Sequence, residues 1–233
     1  MWNRCLSPIG STGRGCERSA PRGQSTAELA VVLPVLIMLM VLVAEVGFLL
    51  RNYILICNAN RESARLAARG RYSDHRIGER VVASGGIVRI GGSDVPFLRT
   101  HGTEPNTGII VTHIPMDASG DVISVTTWIS GVIASGDGEL RSVRDAPAPG
   151  QLSQDSQIDK TSIENRHRDT TQSVNQLRED AQYEPTENHL VVVETFFAHD
   201  PLMLTSLLPM RATVPIYTQT TVRVTLEYSA ETR

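Results

Sequence analysis

Arg22-Gly23-Gln24-Ser25-Thr26-Ala27-Glu28 runs directly into Leu29–Leu50, and this junction decides the fold. From Leu29 to Ala44 no side chain is polar or charged, and the one ionisable group before Arg51 is Glu45. As a helix, Leu29–Leu50 rises about 33 Å, enough for a hydrocarbon core of about 30 Å. A single backbone segment crossing lipid satisfies its own hydrogen bonds only as a helix. Three readings compete: a cleaved secretory signal, a plain signal anchor, and a helix that first anchors and then packs. The residues after the run, Glu45-Val46-Gly47-Phe48-Leu49-Leu50-Arg51, contain no Ala-x-Ala, and the run is long for a signal peptide, so cleavage behind it is disfavoured.

The rest of the composition narrows the field. The chain has 233 residues, which suits one modest domain plus an appendage, or two small domains. A formal charge of −3 excludes a nucleic-acid binder driven by bulk positive charge. Its basic residues are arginine except for Lys160, a coding bias with no functional message. Arg4, Arg14, Arg18 and Arg22, offset by Glu17, precede the run, while Arg51, Arg61, Arg65, Arg69 and Arg71 follow it. Charge on both sides leaves the orientation open. Cys5, Cys16 and Cys57 form no CxxC pair and no metal-ligand spacing, and Cys57 reads as a small apolar residue on a helix.

A basic leader, a glycine, four residues and then a glutamate opening a hydrophobic helix is the pattern of a prepilin. Residues from Gly23 to about Gly70 resemble the N-terminal segment of TadE-like pseudopilins of the tight-adherence (Flp-type) pilus system. The residues that carry the resemblance are Gly23-Gln24-Ser25-Thr26-Ala27-Glu28, Val32-Leu33-Pro34, Glu45-Val46-Gly47 and Asn58-Ala59-Asn60-Arg61-Glu62-Ser63-Ala64-Arg65. The resemblance implies a prepilin peptidase cutting between Gly23 and Gln24 at the cytoplasmic face of the membrane. Glycine at the cut leaves the scissile backbone open to close approach. Glu28 then becomes the fifth mature residue, expected in the first helical turn where the macrodipole favours a carboxylate, and able to neutralise a neighbour's α-amine in an assembly. The alternative is an interfacial helix acid and nothing more. The implied partners are the membrane, the peptidase and other pilins or pilus-assembly proteins. The N-terminus is expected in the cytoplasm and the C-terminal domain outside it. The runner-up is a signal-anchored extracytoplasmic binding protein unrelated to pili.

Two residues modify the helix. Pro34 lacks an N–H and leaves the Ala30 carbonyl without its helical donor, so a kink is expected there. Glu45 is expected to snorkel to the outer interface or to face a partner helix. From Arg51 to Ala68 there is no Pro or Gly, so the helix is expected to continue to Arg69 and stop at Gly70, about 70 Å in all, half in the bilayer and half projecting. Ile54, Cys57, Ala64 and Ala68 share one face, with Arg61 among them. The arginines read either as a solvated surface or as an oligomer contact.

Residues 72–233 read as a strand-dominated domain, giving an α+β protein: a long pilin-like helix over 24–71, a leader over 1–23, and a mainly antiparallel sheet. A short helix starting at Ser73-Asp74 would use Ile77, Val81 and Val82 and stop at Gly85-Gly86. Strands are expected at Ile87–Ile90, Ile109–Ile114, Val122–Ile129, His189–Ala198 and Thr213–Tyr228, the last from its strict alternation. The domain's first part is 72–135 and its closing strands lie in 189–233. Between them, 136–188 is poor in Leu, Ile, Val and Phe and reads as a polar, flexible insertion, transiently helical over Ile158–Gln182. The apolar connection Asp200–Pro209 matches a Pro/Leu-rich link that TadE-like proteins often carry. It reads first as a loop packed on the core, and second as a partner or membrane patch.

Catalytic signals are weak. The six histidines form no His-x3-His and no HExxH, the glycines near Gly10 follow no strand, and there is no GxSxG. His199-Asp200 near Ser206 reads as a chance neighbourhood. No cofactor, metal site or catalytic residue is expected, and the chain reads as a structural, non-enzymatic component.

Overall fold

Helix α1 (Gln24–Ala68) passes through Pro34 and continues in the computed structural model, which describes residues 24–69, 74–102, 104–135, 139–185, 187–201 and 213–225. The chain divides into two units: α1 as far as Leu42 in one, and everything from Val43 onward in the other. In the first unit the side chains from Glu28 onward are exposed all round the helix, apart from half-buried Val41, and the most apolar 18-residue window of α1 has a mean hydropathy of 2.8. A helix that is apolar on every side and exposed in its own chain is built for lipid or for other helices.

The second unit is the sheet domain. After the remainder of α1 come α2 (Asp74–Ser84), β1 (Ile87–Ile90), β2 (Ser93–Pro96), β3 (Thr107–Met116), β4 (Thr126–Ala134), β5 (Leu140–Ser142), α3 (Lys160–Asp180), β6 (Asn188–His199) and β7 (Val214–Thr225). β1 and β2 make a separate hairpin, while the other strands form an antiparallel sheet in the order β5-β4-β3-β6-β7. The long-range register is Ile110 opposite Glu194 and Thr195 opposite Thr218. α2 ends where Gly85 caps it, its N–H donating to the Val81 carbonyl at 3.1 Å.

Each face of the sheet has its own core. Ile109, Val111, Val191, Val193, Ile216 and Val224 point to one side, where Ile56, Ala59 and Ala67 of α1 and Ile77 and Val81 of α2 cover them. On the other side Ile114, Leu190 and Val192 pack with Ile158 and Ile163, and Ile110 with Ile133 and Val143. Covered on both faces, β6 is buried along almost its whole length.

The stretch 136–188 departs from the sequence reading. It holds β5 and α3, and it places Val143, Ile158 and Ile163 in the core beneath the sheet. Carboxylates organise it where apolar residues are few. Asp155 accepts from Arg141 at 2.6 and 2.8 Å and from the Arg144 backbone N–H at 2.7 Å. Glu194, wholly buried on β6, accepts from Ser156 Oγ at 2.6 Å, the Gln157 N–H at 2.8 Å and the Tyr217 hydroxyl at 2.8 Å. α3 starts on an Asp159 cap, and its Asn175 donates to the Ala118 carbonyl at 2.8 Å. A polar segment thus folds because its hydrogen bonds are made inside.

β4 begins later than expected. Val122 forms only an isolated bridge with Met116, because Asp117 closes a tight turn by accepting from the backbone of Ser119 and Asp121. β7 follows the expected alternation through Thr225, while the continuation to Tyr228 lies outside the described residues, as does most of the Asp200–Pro209 connection.

Burial works to raise the Asp155 carboxyl, but the hydrogen bonds from Arg141 and Arg144 outweigh it and hold the group well below the ordinary carboxylate range. Its folded value is depressed, so the stability it contributes is full above about pH 4 and is lost as pH falls toward the folded value. Urea melts between pH 7 and pH 3 are expected to show a steep acid limb that Asp155→Asn flattens, at a cost of about 3 kcal/mol at neutral pH. An unchanged limb in the variant would remove Asp155 from this role.

Candidate functional site

The functional candidates of the sequence fall on α1, and the structure separates them. Gly23 lies outside the described residues, and Gln24 is the first residue of α1. Counted from there, Glu28 stands just past the first turn, which contains no acid. The first-turn expectation is corrected accordingly, since dipole stabilisation fades beyond that turn. Glu28 is exposed, in the unit whose apolar side chains are also exposed. Pro34 sits inside the helix, which runs on past it.

Glu45 does neither of the things expected of it. It is 7% exposed and belongs to the sheet domain, with its Oε2 4.0 Å from Nε2 of His199 at the end of β6. The other ring nitrogen of His199, Nδ1, lies 3.0 Å from Asn52 Nδ2, one helical step of seven residues along the same face of α1. With Asn52 donating to Nδ1, the imidazole hydrogen sits on Nε2, facing Glu45. His199 therefore joins the helix to the sheet; Ser206, the third member of its sequence neighbourhood with Asp200, lies outside the described residues.

The same face continues upward. Glu45, Leu49, Asn52, Ile56, Ala59, Asn60, Ser63 and Ala67 recur at helical spacing and are buried or half-buried. Of the residues Ile54, Cys57, Ala64 and Ala68, which share one face, Ala64 is 4% exposed and Cys57 half-buried, while Ile54 is 57% exposed and Ala68 is exposed, so the seat is turned away from this face. Arg61 explains the rotation, since a helix seated on that side would bury its guanidinium. The true seat is small and polar. Asn60 Nδ2 donates to Thr218 Oγ1 at 2.7 Å and to the Thr218 carbonyl at 3.3 Å, and Asn60 Oδ1 accepts from Thr195 Oγ1 at 2.6 Å. Thr195 and Thr218 are cross-strand partners, so one amide bridges the β6–β7 pair. Ser63 donates to the Asn60 carbonyl at 2.8 Å.

The outer face of α1 carries Leu50, Tyr53 and Ile54, all exposed, then Arg61, Arg65 and Arg69. Glu62 ties this end to α2 through Arg80 at 2.7 Å, and that hydrogen bond holds its carboxyl below the ordinary range. Among the described residues no group of three or more His, Cys, Asp or Glu side chains is placed to hold a metal ion.

Helix and sheet together define an α+β protein with one N-terminal helix long and apolar enough to cross a membrane, whose C-terminal part is built into the domain that follows. Within that class, residues 23–65 match the model of the TadE-like protein family, so the chain carries a TadE-like domain over that stretch. The match covers nearly all of α1 and none of the sheet. No curated protein and no solved structure matches the chain.

Sequence reasoning missed Asn52, Asn60 and His199. The signal for the first two was present: polar residues at positions 45, 52, 60 and 63 fall on one helical face together with Ile56. His199 carried no local signal, because its partners lie far away in the sequence.

Proposed function

We propose that this chain is a non-enzymatic pseudopilin of a tight-adherence pilus assembly system. A prepilin peptidase removes residues 1–23, cutting between Gly23 and Gln24. The mature helix stays in the cytoplasmic membrane with its sheet domain outside, and it packs laterally with other pilins or assembly proteins. The observation that carries this reading is the TadE-like match beginning at Gly23, on a helix whose residues 29–40 are exposed and apolar on every side.

On this reading the two acids of the helix have different work. Glu45 faces His199 within its own domain, leaving Glu28 as the acid on the exposed part of the helix. A lateral partner has access to the outer face alone beyond Val43, because the inner face is seated on the sheet.

Intact-mass measurement of the protein from membranes of cells with an active peptidase is expected to give a chain beginning at Gln24. Gly23→Val is expected to block processing outright and leave the full-length mass. Retention of residues 1–23 in the unaltered protein would overturn the reading and leave a plain signal-anchored protein.

A further inference from the structure

The sheet domain contains a lined hollow where α2 meets the sheet. It lies between α2, the segment leading into β3, and β4, and encloses about 320 Å³. Trp128, Val82 and Ile109 give it an apolar side. His75, Glu79, Thr100, His101 and Ser130 give it a polar one. That mixture, a mostly apolar surface with a few placed polar groups, is the ordinary make-up of a small-ligand site.

Two glycines shape its walls. Gly78 of α2 lies against the Trp128 ring, and a Cβ there would overlap ring atoms Cζ3 and Cη2, so the indole rests directly on the helix backbone. Gly131, at φ +87°, follows Ser130, and a Cβ there would run into the Thr107 carbonyl and the Thr100 side chain. Its absence lets the segment before β3 close on β4, and His101 Nε2 comes to 3.0 Å from Ser130 Oγ. His75 meets the Trp128 ring edge-on, with centroids 5.6 Å apart.

We propose that this hollow binds a neutral saccharide, with one pyranose ring seated on the Trp128 side and its hydroxyls on His101, Ser130 and Glu79. The charge of the lining selects the class: it contains Glu79 and neither lysine nor arginine, which disfavours phosphates and carboxylates. An indole offers a flat apolar face with a negative quadrupole, which suits the C–H face of a sugar ring. Imidazole and hydroxyl groups around it donate and accept, and the Glu79 carboxylate accepts, as a ring of hydroxyls requires. A second hollow of about 440 Å³ shares Val82, Thr100 and His101 with the first, and its Arg99 and Glu104 stand 3.8 Å apart as an ion pair without net charge, so a second neutral sugar unit has a place to continue. This site is independent of leader processing and of the exposed face of α1.

The test uses the full chain in a polyoxyethylene detergent, free of sugar and charge. The chain has two tryptophans, so a Trp2→Phe background leaves Trp128 as the reporter. Its fluorescence is titrated with cellobiose, maltose, lactose and N,N′-diacetylchitobiose, and separately with tetramethylammonium and inorganic phosphate. The expected result is a saturable change with at least one disaccharide in the millimolar range, weakened about tenfold by His101→Ala and by Glu79→Gln. Glu79 is largely exposed, so the second variant keeps the fold. No saturation by any of the four sugars, saturation by tetramethylammonium or phosphate alone, or a sugar response untouched by both variants would each overturn the proposal.

Discussion

Asn60→Leu is expected to lower the stability of the sheet domain by about 3 kcal/mol, the largest loss from a single side chain in the helix seat. Asn60 is wholly buried and uses its amide in three hydrogen bonds to Thr195 and Thr218. Leucine removes all three and leaves two threonine hydroxyls facing an apolar side chain. A buried group deprived of its partner loses its hydration without compensation, whereas an apolar pair of the same shape is nearly neutral. The triple variant Asn60→Leu, Thr195→Val, Thr218→Val is therefore expected to regain more than half of the loss. Urea unfolding of the full chain in detergent, followed by near-ultraviolet circular dichroism, measures both. A triple variant no more stable than the single one would show that shape at this contact, not polar pairing, seats the helix.

That polar seat also explains which parts of the fold were legible. The apolar run from Leu29 and the absence of helix breakers from Arg51 to Ala68 predicted α1 nearly to its end. Alternation predicted β7, and the glycine pair predicted the stop of α2. These signals are local: they depend on periodicity or on one backbone position. The packing face of α1 was not legible in the same way. Asn60 and Ser63 read by polarity as outward residues; the distant threonine partners of Asn60 reverse that, and Ser63 is buried beside it on the Asn60 carbonyl. Within 136–188 the helix expected over Ile158–Gln182 stands as α3 (Lys160–Asp180), but the packing of the segment was not legible for a related reason. Counting Leu, Ile, Val and Phe measures hydrophobic burial, while this segment is anchored by hydrogen bonds, within itself from Arg141 and Arg144 to Asp155 and across to Glu194 of β6 from Ser156. The hollow at Trp128 depends on Gly78 and Gly131, which in a sequence look like breakers within a helix and a strand. Cleavage after Gly23 and a role for Glu28 in assembly come from the resemblance, and experiment has to test them.

Glu28→Ala and Glu45→Ala are expected to fail in opposite ways, although both remove one carboxylate from the same helix. Glu28 is exposed, in the unit without the sheet, so its loss is expected to leave the thermal unfolding of the domain unchanged. If helices pack laterally around it, crosslinks between chains through a photoreactive residue at Met40, itself 73% exposed, are expected to fall about tenfold. Glu45→Ala leaves His199 Nε2 facing an apolar gap in a site where the imidazole is 4% exposed. That change costs about 1–2 kcal/mol, or about 3–6 °C in Tm for a domain of this size, and leaves the crosslinks in place. A double-mutant cycle with His199→Leu separates the pair from the rest of the seat: the coupling is expected to account for most of the Glu45 effect. The reverse pattern, with Glu45→Ala abolishing crosslinks at unchanged Tm, would place this acid between chains and remove the division of labour. The cycle bears directly on assembly, because a carboxylate buried beside the histidine of its own domain is off the surface that a neighbouring helix meets.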